Sequence, residues 1–151
     1  MATTSSSELH LRVVTPDRTV IDRKVKAVSF VGVDGSYGIL PNHAPLITAT
    51  PPACHVKITG TDGKSEDLAV SDGFVEMSDN TLTLVCKAGE SAIEIDLERA
   101  KQAEARARKR IADAQAGAPD IDLARAEAAL RKALLRQALG RSKGTSSSTA
   151  L

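Results

Sequence analysis

The residues best suited to acid–base or metal chemistry in this chain of 151 residues are its three histidines, His10, His43 and His55. A structural zinc site takes about four cysteine, histidine or carboxylate ligands that converge on one point. The three histidines lie on separate runs of the sequence, and no Cys-x-x-Cys spacing occurs. We therefore predict neither a metal site nor a catalytic histidine.

His43 lies between two prolines in the stretch GSYGILPNHAPLITAT. The rings of Pro41 and Pro45 fix φ at their own positions and push the preceding residues toward extended backbone. Asn42 tolerates a left-handed conformation. This combination predicts a rigid corner between two strands, with His43 either hydrogen-bonded inside the corner or presented on its surface.

Other patterns that could do chemistry are missing from the sequence. It contains no nucleophile elbow, phosphate-binding loop or paired-carboxylate motif. The glycine-rich stretch GVDGSYG, from Gly32 to Gly38, matches no Walker-type pattern and leads into a strand, so we interpret it as an interaction loop. Cys54 and Cys86 both lie in strand-like runs, and two cysteines do not make a disulfide framework, so we expect reduced, buried thiols.

Composition and charge both change near residue 95. Residues 1–95 carry 8 basic and 12 acidic side chains, a balance of −4, whereas residues 96–151 carry 12 and 7, a balance of +5. The positive excess favours a C-terminal part that meets an acidic surface, although a solvated helix face explains such charge as well. The chain has no signal peptide and no apolar run of the roughly 20 residues that cross a bilayer, so we expect a soluble, cytosolic protein.

The first part of the chain shows the alternation that is typical of β-strands. Apolar residues recur at every second position from Leu9 to Val13, around Lys57 and around Thr83, and clusters of turn residues separate these runs. About eight to ten short strands with no helical pattern between them indicate an antiparallel β-sandwich or flattened barrel. We place this β-sandwich domain of an α+β protein at residues 8–90.

From Asp96 onward the apolar residues follow a helical period. The two stripes are Leu97, Ala100, Ala103, Ala107, Ile111 and Ala114, and then Leu123, Ala126, Leu130, Leu134 and Ala138, with the second helix ending before Gly140. The turn at Ala118-Pro119 is so short that the helices must pack antiparallel. We therefore predict a helical hairpin domain at residues 95–140, and disordered tails at residues 1–7 and 141–151.

The start of the first helix also has a signal for an anionic ligand. The sequence IDLERA at Ile95–Ala100 returns as IDLARA at Ile121–Ala126, and the aspartate in each copy can cap the helix that follows. A helix N-terminus with the guanidinium of Arg99 nearby suits a phosphate. Capping alone is sufficient to explain the aspartates, and both copies cannot easily serve one ligand, so the two interpretations stay open.

Three motifs, YGILPNHAPLITA, VSDGFVEMSDNTLTLV and EIDLERAKQAEARA, in this order resemble the epsilon subunit of the bacterial and chloroplast F-type ATP synthase. The likeness covers roughly residues 9–139, with Asn42 and Asp72 at positions where that family often has glycine. It implies a non-catalytic rotor subunit that requires no cofactor. In that family the β-sandwich grips the gamma subunit and rests on the c-ring, which couples proton-driven rotation to ATP synthesis.

The resemblance also implies three sets of site residues. Contact with the c-ring and gamma is assigned to Asp34, Ser36, Tyr37 and His43. In the family the mobile C-terminal helices inhibit ATP hydrolysis, and the implied contacts with an acidic segment of the beta subunit are Arg106, Arg108, Lys109, Arg110 and Arg131, with Lys132 and Arg136 as further candidates. Some members bind ATP as a regulatory ligand, and the matching residues here are Glu90, Ile95, Asp96, Arg99, Lys132 and Arg136.

These implications place the protein against the alpha/beta head of the complex, at the cytoplasmic face of a bacterial inner membrane or at a plastid thylakoid. Its membrane association would be only through the complex.

Without the resemblance, a nucleic-acid-binding adaptor with a basic helical hairpin is the alternative function. The net charge of +1 and the scarcity of aromatic residues count against it, so we predict no nucleic-acid partner. A small β-sandwich enzyme is a third interpretation, for which no motif supplies an active site.

Overall fold

The computed structural model describes residues 6–143, which divide into two compact units after Ser91. The described part of the first unit holds nine β-strands. They are β1 (Leu9–Val14), β2 (Thr19–Gly32), β3 (Gly35–Ile39), β4 (Leu46–Thr50), β5 (Cys54–Gly60), β6 (Ser65–Val70), β7 (Gly73–Ser78), β8 (Thr81–Cys86) and β9 (Gly89–Ser91). The number of strands agrees with the prediction from period-two alternation, and the strands are short except for β2, which has 14 residues.

The nine strands form one hydrogen-bonded sheet in the order β4-β7-β8-β1-β2-β5-β6-β9, with β3 paired to β2 outside this path. All described pairs are antiparallel except β1 with β8, which is parallel. A parallel neighbour requires a long connection, and here about 65 residues of chain separate the two strands. Local sequence therefore could not show this one departure from the predicted antiparallel pairing.

Strand β2 joins the two layers of the sheet. Its first half pairs with β1, and from Val25 onward it pairs with β5, with an irregular register between Val25 and Ala27. Such a bulge bends a strand and increases its twist, so one long strand can serve both layers. Just beyond β2, the N–H of Val33 donates to the carbonyl of Ala49 at 2.9 Å, which ties this end of β2 to β4. The sheet thus folds over on itself as a sandwich.

The core of the first unit is formed by every second residue along its strands, because these side chains point inward. In β1 the side chains of Leu9, Leu11 and Val13 are buried, while those between them face outward. Cys54 and Cys86 belong to the same core as free thiols, as the sequence predicted. Burial raises the pKa of the Cys54 thiol to about 11, so this thiol stays protonated at neutral pH.

The second unit begins with a 3-10 turn at Ala92–Glu94 and contains two helices, α1 (Leu97–Gln115) and α2 (Leu123–Ser142). Each helix starts at a repeat aspartate. The carboxylate of Asp96 accepts from the backbone N–H groups of Glu98 and Arg99 at 3.0 and 3.1 Å, and that of Asp122 accepts from Arg125 at 3.0 Å. The first helix ends at Gln115, shortly before the predicted turn at Ala118-Pro119, and Gly117 between them has a φ of 85°.

The helices pack antiparallel along a seam of small residues spaced seven apart. Ala100 and Ala107 of α1 are buried, and so are Ala126, Ala133 and Gly140 of α2. A seven-residue repeat keeps one face of each helix turned toward its partner. The offset of 26 that relates IDLERA to IDLARA also relates Ala100 to Ala126 and Ala107 to Ala133, so the internal repeat is a repeat of the packing surface.

The second helix departs from the sequence prediction in two ways. The predicted stripe positions Leu123, Leu134 and Ala138 are exposed, because the buried face is rotated toward Ala133, Gln137 and Gly140. The helix also continues through Gly140 to Ser142, so the predicted end before Gly140 and a disordered tail from residue 141 are wrong for Arg141 and Ser142. The predicted tails at residues 1–5 and 144–151 lie outside the described residues.

Gly140 is inside the helix for a packing reason. A Cβ at this position would lie 2.8 Å from Cδ2 of Leu97 and 3.1 Å from Cγ2 of Ile95. The glycine therefore permits the end of α2 to approach the start of α1 closely. A glycine that reads as a stop signal in sequence is thus a contact residue in the structure.

Candidate functional site

The corner predicted around His43 is a tight turn with a left-handed asparagine. The N–H of His43 donates to the carbonyl of Leu40 at 3.1 Å, and Asn42 has a φ of 62°. Proline followed by a residue with positive φ is the signature of a type II turn. The N–H of Asn42 donates to Oδ1 of Asn80 at 2.8 Å, which anchors the corner to the turn between β7 and β8.

The His43 side chain supports the corner and is half-buried. Its Nδ1 donates to the carbonyl of Ala44 at 2.7 Å, so one ring nitrogen is already bonded inside the turn. The other histidines lie elsewhere in the sheet unit, with His10 bonded to Asp22 and His55 bonded to Asp67 at 2.7 Å. Among residues 6–143 no group of three or more histidine, cysteine or carboxylate side chains is placed to hold a metal ion.

The predicted interaction loop at Gly32–Gly38 is mostly strand in the structure, with only Val33 and Asp34 in the turn between β2 and β3. Its segment from Asp34 to Tyr37, which we call the loop, is held together by the carboxylate of Asp34. This group accepts from the hydroxyl of Tyr37 at 2.7 Å through one oxygen and from the hydroxyl of Thr48 at 2.7 Å through the other. The bonds from Thr48 and Tyr37 hold the pKa of Asp34 below its ordinary value, and the bond to Asp34 raises the pKa of Tyr37. The aspartate therefore shapes the loop, while Ser36 is left exposed.

The loop and the corner lie at opposite ends of β3. This strand has five residues, so at about 3.3 Å per residue its ends are roughly 13 Å apart. The ring of Tyr37 stacks on Phe30 of β2 with centroids 5.2 Å apart, which fixes the start of β3 against the sheet. The structure thus places Asp34, Ser36 and Tyr37 together and His43 at a separate turn.

Sequence reasoning missed an apolar patch on the outer face of β4, β7 and β8. Ile47, Phe74 and Val85 are exposed by 77%, 67% and 53% of their surface. Phe74 lies directly opposite Val85, and Ile47 pairs with Glu76 on the same face, diagonal to Phe74. Large apolar side chains that are exposed next to one another mark interaction sites. The sequence shows a large apolar residue at an outward position of each of these strands, but it does not show that the three positions lie together.

The basic residues predicted to contact an acidic partner are exposed on the helical hairpin. They are Arg106, Arg108, Lys109 and Arg110 of α1 and Arg131 of α2. Two of them are engaged within α1, because Arg108 Nε donates to Glu104 at 2.7 Å and Lys109 Nζ donates to Asp113 at 2.9 Å. Exposed pairs of this kind are weak, so both cations can exchange to another carboxylate.

The residues predicted for nucleotide binding are divided between the two units. Glu90 belongs to β9 of the first unit, whereas Asp96 and Arg99 begin α1 and Lys132 and Arg136 lie half-buried in α2. Ile95 is 1% exposed, so its side chain belongs to the core of the hairpin. The carboxylate of Asp96 caps two N–H groups of α1, which is the simpler of the two interpretations of the IDLERA motif.

The comparisons with known proteins agree with this architecture. The family model of the ATP synthase delta/epsilon chain beta-sandwich domain matches residues 8–92, and that of the long alpha-helix domain of the same chain matches residues 94–138. The ATP synthase epsilon chain of Nitratidesulfovibrio vulgaris (strain DP4) is 40% identical over 128 residues, which cover 85% of this chain and 92% of the relative. The ATP synthase epsilon chain of Ligilactobacillus salivarius (strain UCC118) is 44% identical over 130 residues, which cover 86% and 93%.

A solved structure has the same fold. One chain in the Euglena gracilis mitochondrial ATP synthase superimposes with a TM-score of 0.76 at 20% identity, covering 91% of this chain and 84% of its own length. The molecule is thus an α+β protein in which a β-sandwich precedes an antiparallel pair of helices, as predicted. With two domain models and relatives that match over most of its length, the chain belongs to the family of ATP synthase epsilon chains. None of the helices within residues 6–143 has the length and apolar character needed to span a membrane.

Proposed function

We propose that this protein is a central-stalk subunit of an F-type ATP synthase that joins the gamma subunit to the c-ring and is not itself a catalyst. Proton-driven rotation of the ring would then pass through the β-sandwich to the catalytic head. The observation that carries the proposal is the exposed apolar face at Ile47, Phe74 and Val85, on the β-sandwich of a member of the ATP synthase epsilon family. Such a face requires a partner, and gamma is the partner we assign to it.

The loop and the corner at the two ends of β3 extend this assembly surface. Ser36 and the backbone of the loop offer exposed polar groups, and the bonds of Asp34 to Tyr37 and Thr48 keep the loop in one shape. A pre-shaped loop loses little conformational entropy when it binds. We assign the loop to the c-ring and the corner at His43 to the support of the same surface.

We propose that the helical hairpin inhibits ATP hydrolysis when it opens and reaches the catalytic head. Each alanine methyl in its seam contributes only about 0.8 kcal/mol on burial, compared with roughly 1.5–3 kcal/mol for a leucine, so the seam is weak. The exposed cations Arg106, Arg110 and Arg131 supply charge for an acidic segment of the beta subunit, together with Arg108 and Lys109 once they leave their intrahelical partners. Inhibition of this kind weakens as salt rises.

ATP is proposed as a regulatory ligand of the hairpin and not as a substrate. Arg99 at the start of α1 and the basic Lys132 and Arg136 of α2 would bind its phosphates, next to the helix N-terminus that Asp96 caps. Because the lysine ammonium is a point charge without the bidentate geometry of a guanidinium, we expect Lys132 to bind phosphate weakly. Calorimetry that shows no heat at millimolar ATP would remove this part of the proposal.

The protein would be peripheral to the membrane and held there by the complex. We assign it to the cytoplasmic face of a bacterial inner membrane, because the relatives reported above are bacterial. A plastid thylakoid is the alternative location. Fractionation of membranes with and without the remaining ATP synthase subunits separates attachment through the complex from direct lipid binding.

The test of function is ATP hydrolysis by the cognate catalytic head depleted of this subunit. The head is titrated with the full chain and with a version that ends at Glu94, which keeps the β-sandwich and lacks both helices. Suppression by the full chain alone would support an inhibitory hairpin. Equal effects of the two proteins, with binding confirmed, would leave the subunit as a coupler without this brake.

A further inference from the structure

The buried side chains of the hairpin are nearly all small or apolar, and Gln137 is the exception. Among residues 92–143, Gln137 is the one polar residue that is buried, with 4% of its surface exposed. It lies on α2 between two seam positions, Ala133 and Gly140. A buried amide must be hydrogen-bonded at both ends to be tolerated, so its partners decide whether this position is favourable.

Gln137 connects the two helices through hydrogen bonds. Its Nε2 donates to Oε2 of Glu104 on α1 at 2.5 Å, and its Oε1 accepts from Nη2 of Arg141 at 3.0 Å. The other oxygen of Glu104 accepts from Nε of Arg108 at 2.7 Å. The bonds from Gln137 and Arg108 hold the pKa of Glu104 below its ordinary value, which agrees with a carboxylate that is stabilised in its charged form.

Two more contacts lie at the same end of the hairpin, away from the turn between the helices. Gly140 approaches Leu97 and Ile95 so closely that a Cβ at this position would require the Leu97 side chain to shift. Nζ of Lys143 donates to the carbonyl of Ile95 at 2.7 Å, and so the end of α2 also holds the segment before α1. The Gln137 bond, the close approach of Gly140 and the Lys143 bond therefore occur together at one end of the hairpin.

We propose that Gln137, Gly140 and Lys143, with their partners Glu104, Leu97 and Ile95, form a latch that keeps the hairpin closed. Release of this latch, and not loss of the alanine seam, is the step that frees α2. The biological role of the latch rests on the proposed function, because closing the hairpin would prevent inhibition only if the open hairpin inhibits hydrolysis. The latch itself is a property of the isolated chain.

The test is a distance measurement between spin labels at Ala105 and Ala138, both exposed, on opposite helices near the latch. The buried native thiols react slowly, because burial raises the pKa of both Cys54 and Cys86, so labels introduced at exposed cysteines are selective. Gln137→Ala should raise the ratio of open to closed hairpin roughly tenfold, as expected for loss of a buried hydrogen bond to a charged group. The matched control is Gln102→Ala, at an exposed glutamine of α1.

A swap of the two partners tests direct contact. Gln137→Glu places a second carboxylate against Glu104 and should open the hairpin further, whereas Gln137→Glu combined with Glu104→Gln restores an amide facing a carboxylate and should close it again. Gly140→Val provides an independent variant on the packing side. The latch is refuted if Gln137→Ala and Gly140→Val both keep the distance distribution of the control, or if the swapped pair stays as open as Gln137→Glu.

Hydrolysis by the cognate catalytic head separates this inference from the proposed function. Variants that open the hairpin should inhibit the head more strongly than the parent chain at equal occupancy. Open hairpins without added inhibition would confirm the latch and contradict the inhibitory role of the helices. A hairpin that stays closed in Gln137→Ala and Gly140→Val would contradict the latch, whatever the inhibition.

Discussion

Replacing Gly73 by alanine adds a single methyl group and tests how closely β7 approaches β8. Gly73 begins β7 and pairs with Cys86 of β8. A Cβ at this position would lie 2.1 Å from the carbonyl oxygen of Val85 and 2.7 Å from Cα of Cys86. These are backbone atoms, so they cannot move aside as the tip of a side chain can, and β7 must separate from β8.

The magnitude follows from what that separation disrupts. The methyl must move about 1 Å from the carbonyl oxygen, which overpacks the end of the strand pair and weakens its terminal hydrogen bond. Overpacking costs typically 1–3 kcal/mol, and a lost hydrogen bond costs about 1 kcal/mol more. A loss of unfolded-state entropy returns roughly 0.4–1 kcal/mol. We expect a net loss of about 2 kcal/mol in the free energy of unfolding.

Urea unfolding of the full chain measures this loss through tyrosine fluorescence. The chain has one tyrosine, Tyr37, and no tryptophan, so the signal reports on the β-sandwich. With a slope of about 1–2 kcal/mol per molar urea, the midpoint should fall by about 1–2 M. The control is Gly38→Ala, because a Cβ there meets no atom within 4 Å. Equal midpoints for Gly73→Ala and Gly38→Ala would refute the close approach of β7 to β8.

Four further predictions concern the assembly surface and the hairpin. Asn42→Val should cost about 1–2 kcal/mol, because a β-branched residue is strained at a φ of 62°, whereas Asn42→Gly should be nearly neutral in the same urea assay. The lowered pKa of Asp34 means that its bonds stabilise the fold above the pKa of an unfolded aspartate, near 4, and that this contribution is lost as pH falls through the folded value. Tyr37→Phe should therefore reduce the acid sensitivity of unfolding, and an unchanged pH profile would contradict the role of the loop bond. Phe74→Asp should weaken binding to the gamma subunit at least tenfold in a titration, while Glu76→Gln on the same strand should change it little. Inhibition of hydrolysis by the full chain should weaken between low and moderate salt, and a salt-independent effect would exclude a charge-based contact.

The strands could be predicted because burial of one face imposes a period of two on each of them. Leu9, Leu11 and Val13 show this pattern in the sequence and form one side of the core. The pairing of β1 with β8 could not be predicted in the same way. These strands meet only because the whole sheet closes, and no local signal encodes a partner so distant in the chain.

The hairpin shows the same limit on a smaller scale. Its helices, caps and turn follow from the repeat and the aspartates, and α1 buries the predicted stripe at Ala100 and Ala107. In α2 the larger residues Leu123 and Leu134 suggested the wrong face, because close packing of two helices prefers small residues over large apolar ones. Gly140 was interpreted as a stop signal because glycine commonly follows the end of a helix, whereas here it permits close packing against Leu97 and Ile95.

The candidate surfaces divide in a similar manner. The corner at Asn42 was predictable, since proline and asparagine act on backbone torsions within a few residues. The internal bonding of Asp34 was not, because Thr48 reaches it from another strand. The patch of Ile47, Phe74 and Val85 becomes visible only when three strands are set in register.

The sequence by itself determined the elements of this protein, their order, the division into two units and the family to which the chain belongs. Each of these depends on local patterns of burial, capping and turn residues, or on motifs that can be compared directly. Only the tertiary structure decided which faces of the elements meet, that Gln137 is bonded inside the hairpin, and which apolar residues remain exposed. Those properties depend on distances between residues far apart in the chain, which close packing fixes and no local pattern records.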